Sequence, residues 1–279
     1  MLCFPNAKIN IGLNIVEKRD DGFHNIESIF FPIKLCDVLE AIIDLASTQI
    51  PPSGGGGASF TSTGIAIPGN TEENLCVKAY HLISKDYPMP ALKIHLHKVI
   101  PIGAGLGGGS ADAAFFINLL DELFELNLAW GEKHHYARQL GSDCPFFIAN
   151  KPAFAFERGD KLDFIELDLK GYHLVLVHPG IHVSTQLAYS LVKPEKSKIS
   201  LNELIQLPVE EWKGKIINDF EKPVMEKFPE IADVKNKLYD AGAIYASMSG
   251  SGSAVFGIFK NKPQLPEFPV TYFVWQEEL

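Results

Sequence analysis

Residues 101–114 read PIGAGLGGGSADAA and place five glycines directly before a serine. Glycine lets the backbone approach a ligand closely and lets its N–H groups point outward. A helical pattern follows the run, and the start of a helix adds unpaired N–H groups and the positive end of the helix dipole. This combination predicts an anion site, and the anion is most often a phosphate.

A strand and a helix are predicted on either side of the glycine run. Residues 92–99 alternate as in a strand, which Pro101 ends. After the run, Ser110 is expected to cap the helix, with Asp112 in its first turn. The apolar residues at helical spacing are Ala113, Phe116, Ile117, Leu120, Leu123 and Phe124.

Three kinds of phosphate loop can be compared with this order of elements. A P-loop requires a lysine before its final serine or threonine, and no lysine precedes Ser110. A dinucleotide fingerprint matches at Gly103, Gly105 and Gly108, but it needs a second strand after the helix. Residues 130–140 predict another helix instead. The protein-kinase loop lies between two strands near a V-A-I-K lysine, and the sequence has neither feature. A dinucleotide-dependent oxidoreductase is the weaker alternative.

Two further segments carry polar side chains suited to catalysis. Strict alternation in residues 7–16 predicts a strand with Lys8 and Asn10 on one face. A lysine on a strand is ordinarily solvated, so Lys8 is of interest only if that face lies toward the phosphate loop. Asp143 follows a helix terminator and precedes Pro145. It is expected to cap a short helix, the commoner role, or to act as a general base, and the two roles are compatible.

A second glycine-serine segment, residues 249–253, separates two predicted strands within residues 243–259. Alone, it predicts a simple hairpin loop. If a phosphate loop lies nearby, it would cover the other side of the phosphates or the substrate. Residues 49–64 contain two prolines and four consecutive glycines and predict a surface loop.

The composition is that of a globular protein long enough for two modest domains, with 279 residues, 46% of them hydrophobic and 21% charged. A net charge of −9 argues against a nucleic-acid surface but allows a local phosphate site. Four cysteines without metal-binding spacing suit a reducing compartment. No signal peptide or membrane-length apolar run is recognised, so we expect a cytoplasmic protein without a membrane partner.

The glycine run resembles the second motif of the GHMP kinases, the small-molecule kinases of the galactose, homoserine, mevalonate and phosphomevalonate type. That motif reads Pro-x-x-x-Gly-Leu-Gly-Ser/Gly-Ser-Ser/Ala. The matching residues are Pro101, Gly105, Leu106, Gly107, Gly108, Gly109, Ser110 and Ala111. The resemblance extends from residues 7–13 to residues 248–253. It implies an α+β, two-domain GHMP kinase fold. Its N-terminal domain (residues 1–153) would resemble domain 2 of ribosomal protein S5, and its C-terminal domain (residues 154–279) would be ferredoxin-like.

The resemblance also implies roles for individual residues in a transfer of phosphate from ATP to a hydroxyl group, with Mg²⁺. Lys8 and Asp143 would flank the hydroxyl, with Asp143 accepting its proton. Ser110 would be the candidate metal ligand. The ATP site would comprise Asn74, Lys98, Pro101, Gly103, Gly105, Leu106, Gly107, Gly108, Gly109, Ser110 and Ala111.

The run Asp21-Gly22-Phe23-His24 resembles the GHMP kinases whose small-molecule substrate carries a cytidine diphosphate group. Phe23 would stack on the cytosine, although those kinases usually have tyrosine there, and His24 would hydrogen-bond its edge. The other residues implied to hold substrate are Asn10, Ser249, Gly250 and Gly252, with a further wall near Thr185 and Tyr189. A homoserine or mevalonate type of GHMP kinase, and a non-catalytic nucleotide-binding relative, are the remaining alternatives.

Overall fold

The computed structural model describes residues 1–45, 57–195, 197 and 199–279. The chain forms two compact units, each assembled from separate stretches of sequence. Unit 1 contains Met1–Ala7, Leu35–Ile102 and Gly107–Asn150. Unit 2 contains Lys8–Lys34, Gly103–Leu106 and Lys151–Leu279. The division into family domains after residue 153 stays a prediction.

The secondary structure of the described residues mixes strands and helices, as an α+β fold requires. The strands are β1 (Leu2–Cys3), β2 (Asn6–Lys18), β3 (His24–Cys36), β4 (Val38–Ile43), β5 (Ala58–Gly64), β6 (Leu92–Lys98), β7 (Ala153–Glu157), β8 (Lys161–Phe164), β9 (His173–His178), β10 (Tyr245–Met248), β11 (Val255–Phe259) and β12 (Phe273–Glu278). The helices are α1 (Leu75–Ile83), α2 (Gly108–Leu123), α3 (Trp130–Leu140), α4 (Cys144–Ala149), α5 (Thr185–Leu191), α6 (Leu201–Leu204), α7 (Glu221–Lys227) and α8 (Pro229–Asp240). Short 3-10 turns span Thr71–Glu73 and Val209–Glu211.

Unit 1 packs four helices with a sheet of order β1-β4-β6-β5. In β6, Leu92, Ile94 and Leu96 are buried while Lys93 is exposed, so the sequence alternation directs one face of the strand into the core. Four residues of the predicted apolar stripe of α2 are buried, namely Ala113, Phe116, Ile117 and Leu120. The helix contacts α1, α3 and α4. This packing holds the helix that follows the glycine loop.

Unit 2 contains a sheet of order β10-β11-β9-β12 and the sheet β2-β3-β7-β8. Helix α8 packs on β10 and β11 through Ile231, Val234 and Leu238, which recur at helical spacing and are fully or almost fully buried. The turn between β10 and β11 contains residues 249–253, as predicted. Unit 2 therefore contains both β2, in one sheet, and the second glycine-serine loop, between two strands of the other sheet.

The sequence predicted most elements correctly and one incorrectly. The helix predicted over residues 130–140 is α3, and strands β2 and β6 lie where alternation placed them. The loop predicted over residues 49–64 is wrong for Ala58–Gly64, which forms β5 because it pairs in parallel with β6; residues 49–56 lie outside the described residues. Within the described part of the chain, no helix is both long and apolar enough to span a membrane.

Candidate active site

Lys8 lies on a buried face of β2 in unit 2. It is only 3% exposed, so the ordinary expectation of a solvated lysine is wrong here. Its ammonium donates a hydrogen bond to Oδ1 of Asn10 and lies 4.6 Å from the centroid of the Phe30 ring. The amide of Asn10 also donates to Oγ of Ser28 at 2.8 Å, which fixes the direction of its oxygen. Lys8 and Asn10 thus share one face of β2, as the alternation predicts, and form a polar pair that is buried.

Ser249 connects the second glycine-serine loop to β2 and to the glycine loop. Its Oγ accepts the backbone N–H of Asn10 at 3.1 Å and donates to the carbonyl of Gly105 at 2.8 Å. The backbone N–H of Lys8 donates to the carbonyl of Leu106 at 3.0 Å. Unit 2 therefore brings together three segments that the sequence analysis assigned to one site.

Asn218 fixes the shape of the second glycine-serine loop through hydrogen bonds to its backbone. Its amide donates to the carbonyls of Met248 and Gly250, each at 2.8 Å, and its Oδ1 accepts the N–H of Phe220 at 3.0 Å. The side chain is buried, so these bonds are shielded from water. Gly250 and Gly252 have positive φ angles of 55° and 92° within this loop.

The glycine loop needs glycine at Gly105 and Gly107 for different reasons. Gly105 has a φ of 80°, and a Cβ there would lie 1.9 Å from the carbonyl oxygen of Ser249. Gly107, with φ of 71°, is the residue that precedes α2. The predicted capping by Ser110 is therefore wrong: α2 begins at Gly108, which puts Ser110 inside its first turn and Asp112 beyond it.

The other residues of the glycine run differ in exposure. Gly103 and Gly109 are exposed, and Ser110 is half-buried. The buried members are Pro101, Leu106, Gly108 and Ala111.

Asp143 occupies the predicted N-cap position of α4, with Pro145 in the first turn, but the predicted capping role of its side chain is wrong. Its side chain makes no capping hydrogen bond, because its backbone (φ −86°, ψ −15°) is helical and not extended as a capping residue requires. Burial raises the pKa of the neighbouring Cys144 thiol to about 12, against the effect of a hydrogen bond with Ser110. Ser110 and the turn that carries Asp143 therefore lie together in unit 1.

Asn74 and Lys98 have structural partners in unit 1. Asn74 caps α1, and its Oδ1 accepts the N–H of Cys76 at 2.9 Å. Lys98 is 3% exposed and its ammonium lies between the carboxylates of Asp37 and Asp112, at 2.5 and 2.6 Å. The predicted place of Asn74 and Lys98 near the adenosine stays a prediction.

Phe23 precedes β3, which begins at His24, and the rings of both residues have partners in unit 2. Phe23 is 50% exposed, and the guanidinium carbon of Arg158 lies 3.8 Å from its ring centroid. The imidazole of His24 stacks on Tyr189, with centroids 4.7 Å apart and planes at 19°. Burial lowers the pKa of His24, and the charge of Lys18 lowers it further. A neutral His24 presents one donor and one acceptor to a ligand.

Comparison with known proteins identifies the family. The pattern of the GHMP kinases N terminal domain matches residues 74–151, and that of the GHMP kinases C terminal domain matches residues 201–268. The chain belongs to the GHMP kinase family. Among the described residues of this GHMP kinase, no three His, Cys, Asp or Glu side chains form a group able to hold a metal ion.

Two curated GHMP kinases illustrate how similar the relatives are. A 4-diphosphocytidyl-2-C-methyl-D-erythritol kinase of Azobacteroides pseudotrichonymphae genomovar. CFP2 is 50% identical over 95% of this chain and 96% of its own length. A protein of the same name from Bacteroides fragilis (strain ATCC 25285) is 49% identical over the full length of both chains. A crystal structure of 4-(cytidine 5'-diphospho)-2C-methyl-D-erythritol kinase is 32% identical and covers 92% of this chain and 90% of its own, with a TM-score of 0.74.

Several residues that shape this GHMP kinase site were missed by sequence reasoning. Asn218 and Ser28 give no local signal, because each acts through partners far away in the sequence. Arg158, whose guanidinium lies over the ring of Phe23, also gives no local signal, because nothing in the sequence near it indicates this contact. Such contacts depend on strand pairing, here between β3 and β7, which a single sequence does not specify.

Proposed function

We propose that this GHMP kinase transfers the γ-phosphoryl group of ATP to the 2-hydroxyl of 4-diphosphocytidyl-2-C-methyl-D-erythritol. The reaction belongs to the non-mevalonate, or methylerythritol phosphate, route to isoprenoids. The observation that carries the proposal is the identity of 49–50% with curated kinases of that name over 95–100% of this chain. A cytoplasmic location follows from the same proposal.

Lys8 and Asp143 are proposed to act on the hydroxyl that receives the phosphate. The hydroxyl oxygen forms a bond to the γ-phosphorus, the bond from that phosphorus to the β–γ bridging oxygen breaks, and the hydroxyl proton passes to the Asp143 carboxylate. Lys8 is proposed to supply positive charge to the reacting hydroxyl and phosphoryl groups. Phosphoryl transfer needs positioning and charge stabilisation more than covalent chemistry, which is the kind of contribution proposed for these two residues.

The glycine loop is proposed to bind the phosphates of ATP through backbone N–H groups. The N-terminus of α2 adds unpaired N–H groups, and the positive φ of Gly105 shapes the loop. The Ser110 hydroxyl is the proposed protein ligand of Mg²⁺, because a serine or threonine hydroxyl at the start of the helix after a phosphate loop can bind this ion beside the phosphates. When bound, Mg²⁺ would neutralise phosphate charge. Asn74 and Lys98 would lie near the adenosine.

Unit 2 is proposed to recognise the cytidine end of the substrate. The exposed face of Phe23 would stack on the cytosine, and His24, oriented by Tyr189, would hydrogen-bond the edge of the base. Asn10, with its amide fixed by Ser28, would hold the methylerythritol part. The loop containing Ser249, Gly250 and Gly252 would position the substrate and phosphates.

The test is ADP release by the purified full-length protein with ATP, Mg²⁺ and a panel of acceptors. The panel contains 4-diphosphocytidyl-2-C-methyl-D-erythritol, homoserine and mevalonate, and cytidine diphosphate serves as a control without the acceptor hydroxyl. We expect release only with the first. Turnover of homoserine or mevalonate in its place would overturn the proposed substrate.

A further inference from the structure

A buried charge cluster in unit 1, next to the first residue of α2, consists of Asp37, Lys98 and Asp112. They are 0%, 3% and 4% exposed. The Lys98 ammonium lies 2.5 Å from Oδ2 of Asp37 and 2.6 Å from Oδ2 of Asp112. A buried ion pair gains little stability over apolar packing, and a second carboxylate adds a further desolvation cost. Stability alone therefore gives no reason for this arrangement.

Asp37 holds the first residues of the segment that leads into the glycine loop. Its Oδ1 accepts the backbone N–H groups of Val99 and Ile100, at 2.6 and 2.9 Å. Lys98 is the last residue of β6, so these two residues are the first beyond the strand. One carboxylate thus fixes the direction in which the chain leaves the sheet.

Lys98 connects that point to the other end of the loop. Its second partner, Asp112, lies on α2, the helix that follows the loop. A Cβ on Gly108, the first residue of α2, would lie 3.0 Å from the Lys98 ammonium. The ammonium therefore joins Asp37, which binds the residues just after β6, to Asp112 on α2, the helix that follows residues 99–107.

We propose that Asp37, Lys98 and Asp112 are positioning residues for phosphate binding. By tying the end of β6 to the start of α2, they set the spacing between the ends of the glycine loop. That spacing determines whether the backbone N–H groups converge on one phosphate, as preorganised anion binding requires. This inference rests on the proposed function only in that the loop binds nucleotide phosphates.

Asp112→Ala is the informative variant, because it cuts the tie to α2 and leaves the ion pair of Lys98 and Asp37 intact. Binding of ADP and of adenosine to the full-length protein is measured by calorimetry. We expect ADP to bind about tenfold more weakly, which corresponds to about 1.4 kcal/mol, and adenosine to bind as in the unaltered protein. Asp112→Asn keeps an oxygen for Lys98 and should restore ADP binding to within about twofold.

A matched control separates this role from a loss of stability. Ile117→Val removes one methylene from the buried face of the same helix and leaves the cluster unchanged. We expect it to lower the melting temperature without changing the ratio of ADP to adenosine affinity. The inference is overturned if Asp112→Ala binds ADP as the unaltered protein does, or weakens ADP and adenosine equally. Failure to phosphorylate the proposed acceptor, with normal ADP binding, would overturn the proposed function alone.

Discussion

The imidazole of His24 lies flat on the phenol ring of Tyr189, with ring centroids 4.7 Å apart. Tyr189 in turn meets the ring of Phe220 edge to face, at a centroid distance of 5.0 Å and an angle of 88°. Because Phe220 is buried, it fixes the position of Tyr189, and Tyr189 in turn fixes the orientation of the His24 imidazole. His24 is thereby oriented before any ligand arrives, which reduces the entropy that binding must offset.

Tyr189→Ala should weaken binding of the cytidine substrate. A stacked pair is worth about 0.5–1.5 kcal/mol, so we expect the KM for that substrate to rise about two- to tenfold while the KM for ATP stays unchanged. Tyr189→Phe keeps the ring and should behave as the unaltered protein does. Steady-state kinetics with each substrate varied in turn provide the measurement, and a loss in Tyr189→Phe as large as in Tyr189→Ala would contradict the role of stacking.

Phe23→Ala should raise the KM for the cytidine substrate far more than the KM for ATP, since the ring is proposed to stack on the cytosine. Phe164→Ala is a matched control, because Phe164 is 49% exposed, close to the 50% of Phe23, and has no proposed contact with substrate. Equal increases in both KM values on Phe23→Ala, or an equal effect of the control, would refute the stacking role.

Gly105→Ala should abolish most activity, and Gly109→Ala should be tolerated. An added Cβ at Gly105 would lie 1.9 Å from the Ser249 carbonyl oxygen, at a φ of 80°. At Gly109 the nearest atom, Cδ1 of Leu75, is 4.0 Å away, and alanine favours the helix. ADP affinity and melting temperature are measured for both variants. If the two variants had the same ADP affinity and melting temperature, the close approach of Gly105 to Ser249 would not be needed for ADP binding.

The buried charge cluster should leave a signature in the pH dependence of stability. The pKa of the Asp112 carboxyl is raised from 3.8 to about 7, mainly because the group is buried; the charge of Lys98 opposes this rise and that of Asp37 adds to it. Between about pH 4 and pH 7 the folded protein keeps a proton that the unfolded chain has released, so this group lowers stability as pH rises. The nearby thiol of Cys76 stays protonated there, because burial raises its pKa.

Asp112→Asn removes this titration. Its free energy of unfolding, minus that of the unaltered protein, should rise from about pH 4 to about pH 7 and stay level above that. Urea unfolding at several pH values gives the difference directly. A difference that does not change with pH would mean that the carboxyl of Asp112 is ionised throughout.

Asp143→Asn should bind ATP normally and lose most of kcat, because the amide accepts no proton from the substrate hydroxyl. Helix α4 should remain, since the Asp143 side chain makes no capping hydrogen bond to it. ATP affinity by calorimetry and kcat from ADP release are compared in the same preparation. An unchanged kcat would exclude the proposed role as proton acceptor.

Periodicity in the sequence predicted the parts of the fold that depend on local burial. Alternation placed Lys8 and Asn10 on one face of β2, and helical spacing located α2 and α3. The start of α2 was predicted incorrectly, because Gly107 with its positive φ precedes the helix and a serine looked like the better cap. Ala58–Gly64 lacks an apolar pattern and forms a strand only by pairing with β6.

Sequence motifs predicted the site residues, but not the residues that hydrogen-bond to them and hold them in place. Ser249 and Gly105 are far apart in sequence, and their hydrogen bond forms because Gly103–Leu106 belongs to the same unit as the loop after β10. The cluster around Lys98 likewise depends on Asp37, which lies between β3 and β4 and is distant in sequence from Lys98. Long-range contacts of this kind follow from topology, which local propensity and spacing do not encode.

The most direct measurement is a phosphorus NMR spectrum of the protein incubated with ATP, Mg²⁺ and 4-diphosphocytidyl-2-C-methyl-D-erythritol. We predict one new phosphomonoester resonance, with the diphosphate resonances of the cytidine substrate retained and ADP formed in equal amount. If that substrate is unchanged while ATP and homoserine or mevalonate react in the same preparation, the proposed function is wrong.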